Sequence, residues 1–310
     1  MYIVSRHRSL IIEAPWGDTR CIVCLKTATL TKEHVLPQAI GGKLTCQFLC
    51  RNCNSHLGRK FEGFVKFDPL IQSTVNRLSS SIPLLAQQLT EGQSFTSVGP
   101  GGGSKGWIRG GEFVVKSEKL GDGSFIQPTP IAAKTIRKLL QQRAVEESSI
   151  SRALHLFEMA PENTPVQMAN DLHVVKWSIE AITPDLNGPL LHAIAPLKSA
   201  YEYLALHLDN AIYEELPGLS AARMALREGV INPQHLQVER LHGPDAKPFH
   251  GLLFEGNNPH ATVQIRLFGK LAFRVHFKTL SVGGFRFIYT HDLTTNKEHV
   301  EQAASSDAVA

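Results

Sequence analysis

Two Cys-x-x-Cys pairs, Cys21/Cys24 and Cys50/Cys53, constrain this 310-residue chain more tightly than any other feature. Each pair turns the chain sharply enough to aim two thiolates at one point. Two pairs supply the four sulfurs of a closed tetrahedral zinc site. Two disulfides are the alternative, but nothing marks the chain as secreted and thiols stay reduced in the cytosol, so structural zinc is the better reading. The fifth cysteine, Cys46, lies in an apolar-alternating run and reads as a small buried hydrophobe.

The stretch between the pairs carries Glu33-His34, then Pro37 and Gly41-Gly42; Asn54 follows the last cysteine directly. Residues 31–35 and 45–49 read as two short strands around a loop punctuated by Pro37 and the glycines. Residues 54–67 read as a helix that Asn54 caps or opens and Asp68-Pro69 ends. The order is knuckle, strand, loop, strand, knuckle, helix. Folding it around one ion brings Glu33, His34 and Asn54 to a common face.

That arrangement resembles the HNH, or ββα-metal, endonuclease family in its four-cysteine zinc branch. The resemblance is carried by Cys21, Cys24, Glu33-His34-Val35-Leu36-Pro37, Gly41-Gly42, Cys50, Cys53-Asn54 and Gly58, and covers residues 17–67. It implies that His34 is the general base and that Glu33 and Asn54 hold one Mg²⁺ or Mn²⁺. The ion would polarise the scissile phosphate and stabilise the departing 3′ oxygen, with the zinc purely structural. The residue types suit those roles. A neutral imidazole is a competent base near neutral pH, and carboxylate and amide oxygens are hard ligands. The family's middle asparagine braces the loop carrying the histidine, and here Gln47 is the candidate for that catalytic-site role. Thr45 and Gln47 occupy its candidate positions, and Gln47 offers an amide. Gly58 stands where many relatives carry a histidine. His56 reads as a surface residue, because two steps along a helix points it away from Asn54.

The net charge of +4 is unevenly placed. Residues 1–66 carry ten Lys/Arg against four Asp/Glu, and the other 244 residues a small acidic excess. Basic charge gathered beside the candidate site suits a phosphodiester substrate. Arg51, Arg59, Lys60 and Lys43 are the candidate nucleic-acid contacts. DNA is the expected partner, with RNA left open. A homodimer and a regulatory ligand for residues 69–294 are further partners to test. Residues 1–8 lack a signal peptide's apolar core and cleavage site, and no run of about 18 apolar residues occurs, so a cytoplasmic chain without membrane spans is expected.

The fold expected is α+β: a zinc-stapled ββα-metal nuclease domain over 1–68, then a mixed α+β accessory region over 69–294 with an antiparallel C-terminal sheet. A sub-boundary is expected near 161–165, and 295–310 reads as a flexible tail. Helical spacing marks 70–89 with a break at Pro83, then 131–147, 149–159, 190–216 and 219–228. Alternation marks strands at 95–98, 107–116, 172–182, 236–241, 251–255, 262–268, 271–277 and 285–289. The glycine-rich run 99–106 reads as a hairpin tip, not a phosphate loop, because no Gly-Lys-Ser/Thr ending or following helix is present. Arg266, Arg274, Lys278 and Arg286 are expected on one basic sheet face. Two further readings compete with the nuclease: a non-catalytic zinc-binding adaptor for nucleic acid or protein, and a nuclease kept silent until residues 70–310 bind a ligand. Restriction or anti-phage defence enters only as a fold-level analogy.

Overall fold

A computed structural model of the chain describes residues 11–12, 19–98, 103–110, 112–120, 124–176, 181–184, 191–243, 245–257 and 259–304. Residues 99–102 of the glycine-rich run and 177–180 of the strand expected over 172–182 lie outside them. The contacts divide the chain into two compact units, Met1–Leu89 with Asn187–Ala310, and Thr90–Leu186.

The first unit begins with β1 (Ile11–Ile12), β2 (Leu30–His34) and β3 (Thr45–Cys50), which form a three-stranded sheet in the order β1-β3-β2. The β2–β3 pair is antiparallel and bulged: Thr31 faces Leu49 and Glu33 faces Cys46, so β3 spends one extra residue there. Bulges of this kind re-aim side chains next to functional positions. The loop between the strands turns at Gly41, with φ of 84°, and at Gly42, where a Cβ would sit 2.0 Å from the Leu36 carbonyl oxygen. Only glycine fits the second position. Helix α1 (Arg51–Leu57) follows β3 directly and runs into a π-type turn, Gly58–Glu62, before α2 (Pro69–Arg77) and α3 (Pro83–Thr90). The single helix expected over 54–67 is therefore replaced by a shorter helix, a π-type turn and a final 3₁₀ turn, Val65–Phe67.

The second unit holds β4 (Ser94–Val98), β5 (Lys105–Arg109), β6 (Glu112–Val115), β7 (Glu118–Lys119), β8 (Phe125–Ile126), α4 (Thr129–Gln142), α5 (Glu147–Met159), β9 (Pro165–Ala169), β10 (Leu172–Val175) and β11 (Ala181–Pro184). Its main sheet has the order β11-β4-β5-β6. A separate small core joins Ile136 and Leu140 of α4 to Ile150, Ala153 and Phe157 of α5.

The chain then returns to the first unit with α6 (Ile194–Leu208), α7 (Pro217–Glu228), β12 (Leu236–His242), β13 (Phe249–Asn257), β14 (His260–Leu267), β15 (Leu271–Phe277), β16 (Phe285–Asp292) and β17 (Lys297–Ala304). The strands form one antiparallel sheet, β12-β15-β14-β13-β16-β17. In β14 the inward residues Ala261, Val263, Ile265 and Leu267 are buried, and Thr262, Gln264 and Arg266 alternate outward. Helix α6 packs on β13, β14 and β15. Every residue from Ile194 to Leu206 is buried. A helix apolar nearly all round belongs inside a fold. Its other neighbour is the first cysteine knuckle: the Tyr201 hydroxyl donates to the Ile22 carbonyl at 3.1 Å. One hydrophobic core runs from Cys21 through α6 to Tyr289.

Three expectations change. The contacts do not divide at residue 68, because residues 187–310 share the core of the first segment. Lys297–Ala304 is the edge strand β17 instead of a tail, held in register by β16 from Phe285↔Ala304 to Asp292↔Lys297. The outer sheet face is mixed in sign: Arg274 meets Glu239 at 3.9 Å and Arg286 meets Glu255 at 3.6 Å. The α+β class and the antiparallel C-terminal sheet are as expected. No helix among the described residues is long and apolar enough to cross a membrane.

Candidate metal centre and nuclease site

The first knuckle is a tight turn in which Leu25 takes φ of 59° and the Leu25 amide donates to the Cys21 carbonyl at 2.8 Å. The second knuckle is the junction of β3 and α1: Cys50 ends the strand and Cys53 sits in the first helical turn. The Ile22 amide, which donates to the Phe48 carbonyl at 3.1 Å, ties one to the other. The ligand atoms of Cys21, Cys24, Cys50 and Cys53 lie within 4.8 Å of one another. Four sulfurs about 2.3 Å from a common centre occupy such a volume, so the set fits tetrahedral zinc. The Cys21 thiol is lowered to about 5, first by its hydrogen bond with Cys53, while burial raises Cys24. A readily ionised thiol is the ligand form zinc takes. Cys46 is fully buried, and burial pushes its thiol well up, as a core residue requires.

Glu33 and His34 end β2, immediately before the loop. Asn54 lies in α1, and its amide nitrogen donates to the Thr31 hydroxyl at 3.0 Å and to the Lys32 carbonyl at 3.5 Å. The Thr31 hydroxyl in turn donates to the Leu49 carbonyl at 3.0 Å. Asn54 is thus docked on the strand that carries Glu33 and His34. With the amide nitrogen so occupied, the amide oxygen is the atom left for a ligand. The His34 imidazole is half-buried, and desolvation lowers its pKa below the ordinary 6.5, opposed by Glu33. It is therefore neutral, hence basic, at physiological pH.

Residues 21–69 match the family model for HNH endonucleases. They form an HNH-type domain. Neither a curated protein nor a solved structure matches the chain. The HNH domain carries the cysteine cluster and implies a nucleic-acid substrate.

Other residues of the HNH domain stand differently from expectation. Glu33 is 8% exposed, and its Oε1 meets the Lys198 ammonium of α6 at 2.8 Å. Lys198 also lies 3.1 Å from Glu62 and 3.3 Å from Glu202. Burial raises the pKa of both Glu62 and Glu202. None of Lys198, Glu62 and Glu202 stood out in the sequence reading. The available signal was a Lys and a Glu four apart within an otherwise apolar helix, where a charged residue must be paired. Gln47 is exposed and Thr45 is buried. Lys43 donates to the Asn296 carbonyl at 2.9 Å and meets Glu298 at 3.6 Å, so it fastens the loop to the end of the sheet. Lys60 lies over the Phe61 ring and reaches the Glu228 carbonyl at 3.5 Å. Arg51 and Arg59 are exposed. His56 is half-buried against Phe61 instead of standing on the surface, because the π-type turn folds Phe61 back towards it.

Proposed function

We propose that the chain is a metal-dependent endonuclease that hydrolyses phosphodiester bonds of DNA, with a role in restriction or anti-phage defence. The reading rests above all on the HNH family match over the segment in which Asn54 docks against the strand of Glu33 and His34. His34 is the general base and takes a proton from the attacking water. Its desolvated, neutral imidazole suits that task near pH 7. Asn54 offers its amide oxygen, and Glu33 the carboxylate oxygen that Lys198 leaves untouched, as ligands for one Mg²⁺ or Mn²⁺. When bound, that ion supplies Lewis-acid polarisation of the phosphate and charge stabilisation of the leaving oxygen. The four cysteines hold a structural zinc that fixes the β3–α1 junction against the first knuckle. Arg51 and Arg59 are the phosphate contacts.

The test is cleavage of supercoiled plasmid by the purified chain. Nicking that requires added Mg²⁺ or Mn²⁺, and that His34→Ala lowers by about 10²- to 10⁴-fold, supports the reading. Undiminished cleavage by the variant refutes it. One observation favours a second reading, a non-catalytic zinc adaptor: Glu33 is nearly buried and already ion-paired. Tight duplex binding with no cleavage under any divalent ion would decide for the adaptor.

A further inference from the structure

Lys198 is a charge almost wholly enclosed in the first unit, at 1% exposure. Its ammonium meets four oxygens: Glu33 Oε1 at 2.8 Å, the His34 carbonyl at 2.9 Å, Glu62 Oε1 at 3.1 Å and Glu202 Oε2 at 3.3 Å. An ammonium has three protons, so the two shortest contacts, both to the candidate nuclease strand, have first claim on them. Burying this charge costs several kcal/mol before any partner is counted, and apolar residues of similar size serve stability as well or better. Most of the neighbouring α6 positions are filled that way, by Leu197, Ala200, Tyr201 and Leu204. Stability alone is therefore a poor account of a lysine here.

The contact to the His34 carbonyl has a particular consequence. The next amide, Val35 N–H, donates to the Leu44 carbonyl at 2.9 Å. The peptide unit linking His34 to Val35 is thus pinned from both sides, by α6 on the oxygen and by the end of the loop on the nitrogen. The His34 imidazole makes no hydrogen bond among the described residues, so its aim is set by this backbone. The same ammonium takes one oxygen of Glu33 and leaves the other.

We propose that Lys198 is a positioning residue of the nuclease site: anchored by Glu62 and Glu202, it hooks the His34 carbonyl and one Glu33 oxygen, and so sets the direction of the imidazole and of the remaining carboxylate oxygen. This rests on the nuclease reading for its catalytic consequence, but not for the hook itself. The site is then completed by a helix 164 residues downstream of His34.

The full chain is compared with Lys198→Met, Glu202→Gln and Lys198→Met/Glu202→Gln. The double variant removes one stranded carboxylate and guards against a single variant that does not fold. Two quantities are read: the single-turnover cleavage rate at saturating plasmid and Mn²⁺ beside the Kd for DNA, and hydrogen–deuterium exchange over residues 33–37. Loss of the hook is expected to slow cleavage by about 10- to 100-fold with Kd unchanged. Exchange should quicken over 33–37 while the knuckles and the six-stranded sheet keep their protection. Glu202→Gln, which keeps Lys198 and weakens one of its anchors, should slow cleavage less than Lys198→Met does. A folded Lys198→Met or double variant with the parent rate and parent exchange overturns the proposal. If the parent chain cuts nothing, the nuclease reading falls, and the exchange over 33–37 still decides whether Lys198 holds that strand.

Discussion

Replacing His207 by phenylalanine should make the protein less sensitive to acid by an amount that can be worked out in advance. The ring lies against Phe287 at 3.9 Å between centroids, with Phe254 at 5.5 Å and Tyr203 at 4.9 Å. Neither ring nitrogen has a hydrogen-bond partner among the described residues, and burial lowers the pKa to about 4 from an ordinary 6.5. The unfolded chain therefore takes up a proton near pH 6.5 that the folded chain refuses until about pH 4. The depressed value makes stability full above pH 6.5 and drains it as pH falls towards 4. At 1.36 kcal/mol per pH unit the drain reaches about 3 kcal/mol for this one ring, a large fraction of an ordinary domain's stability. Phenylalanine keeps the stacked shape and has no proton to take up. His207→Phe should gain about 1 kcal/mol at pH 7 by removing the unsatisfied nitrogens. Below pH 6.5 its advantage should widen by about 1.4 kcal/mol per pH unit and level off near pH 4. Urea melts of both proteins at pH 7, 6, 5 and 4.5 give the difference directly. Carboxylates, His250 and the cysteine cluster titrate in both proteins and cancel. A difference that stays flat across the range would refute the reasoning.

Three other outcomes are expected. The isolated 1–68 segment should fail to fold even with zinc, because Leu36, Val65 and Phe61 belong to a core completed by α6 and the sheet; a cooperative melt of that fragment would contradict this. Arg51→Ala and Arg59→Ala should each weaken DNA binding and lower the salt slope by about 1, whereas Lys43→Ala should lower stability and leave the slope alone; binding isotherms at several salt concentrations separate the two. Asp68→Asn should cost about 3–5 kcal/mol in urea melts. Asp68 is fully buried, accepts from the Leu70, Ile71 and Leu191 amides, and pairs with Arg240.

The HNH segment was readable because its signals are local. Two cysteine pairs, a Glu-His at a strand end and a Gly-Gly turn each occupy a few consecutive positions. Gly42 shows why the turn reads so clearly, since any side chain there meets the Leu36 carbonyl. The strands of the C-terminal sheet were legible from alternation, within a few residues at their ends. What could not be read was mostly long-range. Nothing local says that α6 leaves the accessory region to pack against the knuckles, or that Lys43 is taken by Asn296 and Glu298. Lys198 and Glu202 are the sharpest case. Their place in an otherwise apolar helix says only that they must be paired, and the return of α6 beneath β2 is what encloses them with Glu33 and Glu62. Polar residues near the end, around 295–310, suggested a frayed tail, yet the open edge of β16 recruits 297–304 as a strand.

Whether Glu33, His34 and Asn54 meet at one reactive centre is tested most directly by locating the ion. Crystals of the full chain with a DNA duplex and Mn²⁺, measured at the manganese and zinc absorption edges, place both metals independently. The expected map has zinc among Cys21, Cys24, Cys50 and Cys53, and manganese touching a Glu33 oxygen, the Asn54 amide oxygen and a phosphate that the His34 imidazole faces. Manganese bound elsewhere, with the DNA remote from His34, would contradict it.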